Sequence, residues 1–235
     1  MMQLIVALLS ASCLVWIFKK YSRKSNLSAK ILFSAKHAAE HESPAHVEKT
    51  NIEPGKLNYA AINRSYRVAD MHFSRGDFHE AEKWLIKVLA LHEYHPEALN
   101  KLGVIYIHNG NSKKAELIFR KLLSITQKEP IYYCNYGRCL YTLGRLDDAI
   151  GAYENAIKLD STKPARFTSI GQIYYEQKHY EKALEYFLKA LELDPDNLEY
   201  LKLIAELSKL MGDDERLHQT LKKIEELDPY STPTD

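Results

Sequence analysis

The chain has 235 residues, with 32 lysines and arginines against 31 aspartates and glutamates and a formal net charge of +1. No basic stripe in it approaches a nucleic-acid footprint, and three cysteines exclude a scaffold built on disulfides. With 46% hydrophobic and 27% charged residues, the composition is that of a chain able to bury a core.

Met1–Phe18 carries no charged side chain and is followed at once by Lys19, Lys20, Arg23 and Lys24. A helix of that length spans about 27 Å, enough for the hydrocarbon core of a bilayer. Residues 1–18 are therefore expected to form a transmembrane signal anchor. A cleavable signal peptide would place its positive charge before the apolar run, whereas here the cluster comes after it. By the positive-inside rule that flank stays in the cytoplasm, so the expected topology is single-pass, N-terminus out, with the remainder cytoplasmic; Trp16 would sit at headgroup level. Cys13, preceded by Ser10, Ala11 and Ser12, faintly resembles a lipoprotein cleavage site, but the missing basic start argues against that reading.

Residues 19–57 read as a basic linker, interrupted by Pro44, Pro54 and Gly55. Within it Ile31, Leu32, Ala35, Ala38 and Ala39 would share one side of a short helix over Ser28–His41, suited to a membrane surface or to covering the start of the domain from Ile62 onward. His37, Glu40 and His41 match the H-x-x-E-H pattern of one class of zinc peptidases. That chemistry needs a stable helix, a further ligand and a cavity with an open metal position, none of which a linker supplies. The expectation is no enzyme, no cofactor and no metal centre.

From Ile62 to Ser231 the sequence repeats every 34 residues without insertion, giving units at 62–95, 96–129, 130–163, 164–197 and 198–231, with a tail at 232–235. In the fourth unit Phe167, Ile170, Gly171, Tyr174, Ala183, Phe187, Ala190 and Pro195 occupy positions 4, 7, 8, 11, 20, 24, 27 and 32. This pattern resembles the tetratricopeptide repeat. Position 8 reads Ala69, Gly103, Gly137, Gly171 and Ala205, small residues expected where the two helices of a repeat pack backbone to backbone. Position 20 is alanine until Leu217, and position 24 reads Leu85, Phe119, Tyr153, Phe187 and Leu221.

Phe167, Ile170, Gly171 and Tyr174 fall on one stripe of a first helix, and Ala183, Phe187 and Ala190 on one stripe of a second. The turn between them contains Lys178 where the other units have Gly76, Gly110, Gly144 and Gly212, residues that tolerate a left-handed backbone. Each unit is thus expected to be an antiparallel helix hairpin that must stack on its neighbours to bury its stripe. The resemblance implies an all-α, right-handed superhelical solenoid of five hairpins, here preceded by the transmembrane helix.

In this family the first helices line a concave surface on which extended peptides lie, at positions 2, 5, 6, 9, 12 and 13. The resemblance therefore marks Asn63, Arg67, Asn100, Lys101, Asn135, Arg138, Tyr141, Gln172 and Tyr175 as groove candidates. Asn100, Asn135 and Gln172 could hold a peptide backbone, Lys101 and Arg138 could pair with its carboxylates, and Tyr141 or Tyr175 could pack on its side chains. The carboxylate clamp of chaperone-binding co-chaperone repeats is absent: the triplet starting at Ile62, for example, offers Tyr66, Asp70, Lys101, Ile131 and Asn135 in its five places. Cys134 and Cys139 lie about 140° apart on one helix and cannot bridge.

Charge runs from +4 over residues 1–61 to −4 over residues 198–235, which places the basic end beside an anionic leaflet. The expected function is a membrane-tethered scaffold that binds a protein or peptide partner, with no nucleic acid and no small-molecule substrate. The bacterial inner membrane is the expected location and the mitochondrial outer membrane the alternative. A different class of function would make the chain an assembly subunit of an envelope complex, docking through its convex or terminal faces. The last helix, Glu215–Leu227, has no following solvation helix, so that end could dock something, and homo-oligomers are compatible with this reading.

Overall fold

The computed structural model describes residues 58–229. The expected anchor, Cys13, the linker with its Ser28–His41 stretch and histidine motif, and the tail at 232–235 lie outside the described residues. Among the described residues there are ten α-helices and no strand, and none of these helices is long and apolar enough to cross a membrane. In chain order they are α1 (Tyr59–Ser74), α2 (Phe78–Leu91), α3 (Pro96–His108), α4 (Ser112–Ile125), α5 (Pro130–Thr142), α6 (Leu146–Leu159), α7 (Pro164–Glu176), α8 (Tyr180–Leu193), α9 (Leu198–Met211) and α10 (Asp214–Leu227). The second helices α2, α4, α6, α8 and α10 start 34 residues apart. The first helix departs from the frame, beginning at Tyr59 because Asn58 caps it, its side chain accepting the Ala61 amide at 3.0 Å.

Local chemistry fixes each hairpin. Pro130 and Pro164 open α5 and α7, where the missing amide proton costs nothing. Asn197 and Asp213 cap α9 and α10 through their side chains. At every turn one residue has positive φ: +80° at Gly76, +73° at Gly110, +72° at Gly144, +71° at Gly212 and 60° at Lys178. The next residue then donates its amide to a carbonyl five residues back, as in Arg145 to Leu140 at 3.0 Å and His179 to Tyr174 at 2.9 Å. Lys178 makes the same turn as the glycines and bears the strain of a Cβ there.

The described residues divide into two compact units, with the boundary in the sequence between Lys101 and Leu102. In the first, α1 packs on α2, and Ile62, Ala69, Ala81, Leu85 and Val88 are buried. In the second, each second helix packs on the first helix of the next repeat. One core joins Ile150, Ala152 and Tyr153 to Ile170 and Ile173, another joins Leu184 and Phe187 to Ile204 and Leu207, and a third holds Leu201, Ala205 and Ile224.

Two expectations are corrected here. Position 8 does not bring backbones together; it receives the aromatic ring of position 24. A Cβ on Gly103 would lie 2.6 Å from Phe119 Cζ, one on Gly137 3.0 Å from Tyr153, and one on Gly171 3.1 Å from Phe187. Where position 8 is alanine, at Ala69 and Ala205, position 24 is the smaller leucine, Leu85 and Leu221. The second correction concerns the last helix. In α8, Leu184 is buried and Leu188 and Leu191 are packed against the next repeat, whereas the matching residues of α10 are His218, Lys222 and Glu225, all exposed. A polar outer face solvates the end of a repeat stack, so α10 offers no apolar seat of the kind α8 gives α9.

Candidate peptide-binding site

The nine candidate residues all lie on first helices, and the structure divides them by what already holds them. In the first unit Asn63 and Arg67 are exposed on α1. Arg67 has no ion pair among the described residues. Asn100 is half-buried. Lys101 is occupied: its Nζ meets Asp70 Oδ1 at 2.5 Å and lies 4.4 Å from the centre of the Phe73 ring. The expectation that Lys101 pairs with a ligand carboxylate is therefore corrected, because the lysine is neutralised by its own chain. Tyr66, another groove position, stacks on His95 at 4.9 Å.

In the second unit the tyrosines are not free aromatic surfaces. Tyr141 Oη donates to Glu176 Oε1 at 2.5 Å, and Tyr175 Oη donates to Glu206 Oε1 at 2.5 Å. Gln172 Nε2 donates to the same Glu176 oxygen at 3.2 Å. Each accepting carboxylate raises the pKa of its tyrosine, since ionising the phenol would set two anions side by side. Tyr141, Tyr175 and Gln172 thus hold the face together rather than standing ready to pack on or hydrogen-bond a ligand.

These bonds also show how the site is built. They run from α5 to α7 and from α7 to α9, so the first helices of the last three repeats present one continuous polar face. Asn135 is half-buried on it and Arg138 exposed. Among the described residues Arg138 has no ion pair, although its charge reaches Tyr153, whose hydroxyl hydrogen-bonds Ser169 across the junction and whose pKa burial pushes up to about 12. An exposed guanidinium without a carboxylate of its own among the described residues is suited to binding a carboxylate in two-point fashion.

Glu176 and Glu206 escape a reading of groove positions, yet the spacing carries them. Asp70 to Lys101 and Tyr175 to Glu206 are both 31 residues apart, one repeat forward and one helical turn back, whereas Tyr141 to Glu176 is 35 apart, so the two glutamates are found only by searching for complementary pairs one repeat away at both offsets. Cys134 and Cys139 are free thiols. Burial raises both pKa values, that of Cys139 to about 11, which leaves Cys139 an inert packing residue. Among the described residues no group of three His, Cys, Asp or Glu is placed to hold a metal.

Family models described as tetratricopeptide repeats match residues 60–128, 137–178 and 165–197. A TPR repeat-containing protein of Methanocaldococcus jannaschii is 30% identical over 196 residues, covering 79% of this chain; the chain spans only 34% of that relative. Among solved structures, MamA from Desulfovibrio magneticus RS-1 superposes with a TM-score of 0.67 at 19% identity, over 75% of this chain and 99% of that one. YrrB, described as a TPR protein with an unusual peptide-binding site, gives 0.59 at 18% identity, over 71% and 86%. At those identities the structures speak for the fold alone. With the 34-residue period in its sequence, the same left-handed turn closing every hairpin and the ring-on-glycine packing inside three of them, the chain belongs to the tetratricopeptide repeat family.

Proposed function

We propose that this protein is a non-catalytic, membrane-tethered scaffold that captures an extended segment of a cytoplasmic protein on the first-helix face of its repeats. The observation that carries the reading is the hydrogen-bonded continuity of α5, α7 and α9 with Arg138 presented on it without an ion pair among the described residues. Arg138 is the residue that takes an acidic group of the partner, and Asn135 bonds its backbone. YrrB, with its peptide-binding site, is a precedent from the same fold.

The tether is Met1–Phe18, supported by its lack of charge and by Lys19, Lys20, Arg23 and Lys24 directly after it. The corresponding topology is N-terminus out with the repeats in the cytoplasm, in a bacterial inner membrane, or in the mitochondrial outer membrane as the alternative. The rival reading, an assembly subunit docking through its terminal face, loses support from the polar residues His218, Lys222 and Glu225 on α10.

A soluble fragment starting near Lys56, used as bait in detergent extract, should retain a partner that the Asn135→Ala/Arg138→Ala double variant loses. Equal capture by both would overturn the groove reading. Protease treatment of sealed membrane vesicles tests the tether separately: the repeats should be cut only from the cytoplasmic side.

A further inference from the structure

The outward positions of the second helices are 18, 19, 22, 26, 29 and 33 of each repeat, and in one repeat they hold no acid. On and just after α4 they are Lys113, Lys114, Leu117, Lys121, Ser124 and Lys128. The same positions include Asp147 and Asp148 in the third repeat and Glu181, Glu185 and Glu192 in the fourth. Lys113, Lys114 and Lys128 are exposed. Leu117 sits among them 46% exposed, an apolar tip between cations. The single carboxylate of α4, Glu116, does not cancel the patch: its side chain is 19% exposed and is engaged by Arg145 at 2.7 Å. Arg120 lies 3.9 Å from the same Glu116 oxygen, its side chain 68% exposed, so one carboxylate is shared between two guanidinium groups and the lysines are left outside that pair.

We infer that this face of α4 is a second, peripheral membrane contact that binds the anionic headgroups of the bilayer in which the chain is tethered. The inference rests on the tether reading above. A cationic helix face with an aliphatic side chain at its centre matches a surface of lipid phosphates, the cations meeting the headgroups while the leucine reaches the acyl boundary. The cluster at Lys19–Lys24 would already lie at the cytoplasmic leaflet, and residues 19–57 would confine the repeats near it, so a weak electrostatic contact becomes effectively intramolecular. Contact through α4 leaves Arg138 on a different helix, so that lipid and peptide need not compete for the same residues.

The test is lysine footprinting of the full chain with phosphatidylcholine vesicles, and with vesicles in which about a third of the lipid is phosphatidylserine. Acetylation of Lys113 and Lys128 should slow about fivefold or more on the anionic vesicles only, since each lysine near such a surface is worth about that factor. Lys182 and Lys189 of α8 serve as controls and should not change. Raising salt to about 0.5 M should restore the rates, and Lys113→Glu combined with Lys121→Glu should abolish the protection of Lys128. Equal rates on both vesicle types overturn the inference. So does protection without vesicles, which would assign the face to a second copy or to an acidic protein. Flotation keeps the two readings apart: a chain that fails to float with neutral vesicles sinks the tether. In that case flotation with anionic vesicles and protected lysines would still uphold the patch, and their absence would remove it.

Discussion

At the scale of single residues, the pairing of positions 8 and 24 shows how a repeat is specified by two side chains rather than one. The ring of Phe119 fills the volume that a Cβ on Gly103 would need, the two coming within 2.6 Å. Gly103→Ala should cost about 1–3 kcal/mol, as overpacking does in a filled core. The double variant Gly103→Ala/Phe119→Leu reproduces the Ala69–Leu85 pair found in the first repeat and should cost less than the sum of its two single changes. Urea denaturation of the four proteins in the cycle measures this coupling, and strict additivity would contradict it. Lys178 offers the opposite case. Its φ of 60° stands where every other repeat has glycine, so Lys178→Gly should raise stability by about 0.5–1 kcal/mol, read in the same denaturation experiment. The need for small residues at position 8 was legible in the sequence. Its cause was not, because a period shows that positions match and does not show which side chain fills the space between them.

Between elements, the junctions carry most of what the sequence did not disclose. Tyr141, Tyr175 and Lys101 were expected to serve a ligand and instead bond to carboxylates of adjacent repeats. A frame reading ranks each residue within its own repeat, whereas these contacts depend on how far one first helix is offset from the next. In ultraviolet titration Tyr175 should ionise above the ordinary range of about 10, and Tyr175→Phe should reduce the late component by one tyrosine, leaving that of the others, Tyr141 and Tyr153 among them. Loss of this exposed hydrogen bond should lower stability by no more than about 1 kcal/mol.

The start of α3 titrates in the other direction. His95 Nδ1 accepts the Ala98 amide at 3.3 Å, and its side chain is 15% exposed. Burial lowers its pKa, partly opposed by Glu97 and reinforced by His92. The unfolded chain therefore binds a proton at His95 more readily than the folded one. The stability linked to this histidine is present above the unfolded pKa of about 6.5 and is lost as pH falls through the lower folded value. Denaturation midpoints measured between pH 5 and 8 should show this loss, and His95→Asn, which keeps a capping acceptor without titrating, should flatten it.

For the whole molecule, the repeat period revealed the hairpins and their order, and the nine candidate residues lie on first helices. Which of these residues are available was decided by three-dimensional neighbours: Arg138 has no ion pair among the described residues, whereas Lys101, Tyr141, Gln172 and Tyr175 are engaged. The two proposals together give a division of labour, with first helices facing a protein partner and the basic face of α4 facing lipid. The central claim is that the partner lies on the first-helix face. The most direct measurement places a photo-crosslinking residue at Ile131, which is 51% exposed on α5 and lies one and two turns before Asn135 and Arg138, in one full-length variant and at Asp147, on the second helix α6, in another, and compares the crosslinked products. A partner should be crosslinked from position 131 and not from position 147; crosslinks from position 147 alone would contradict the claim.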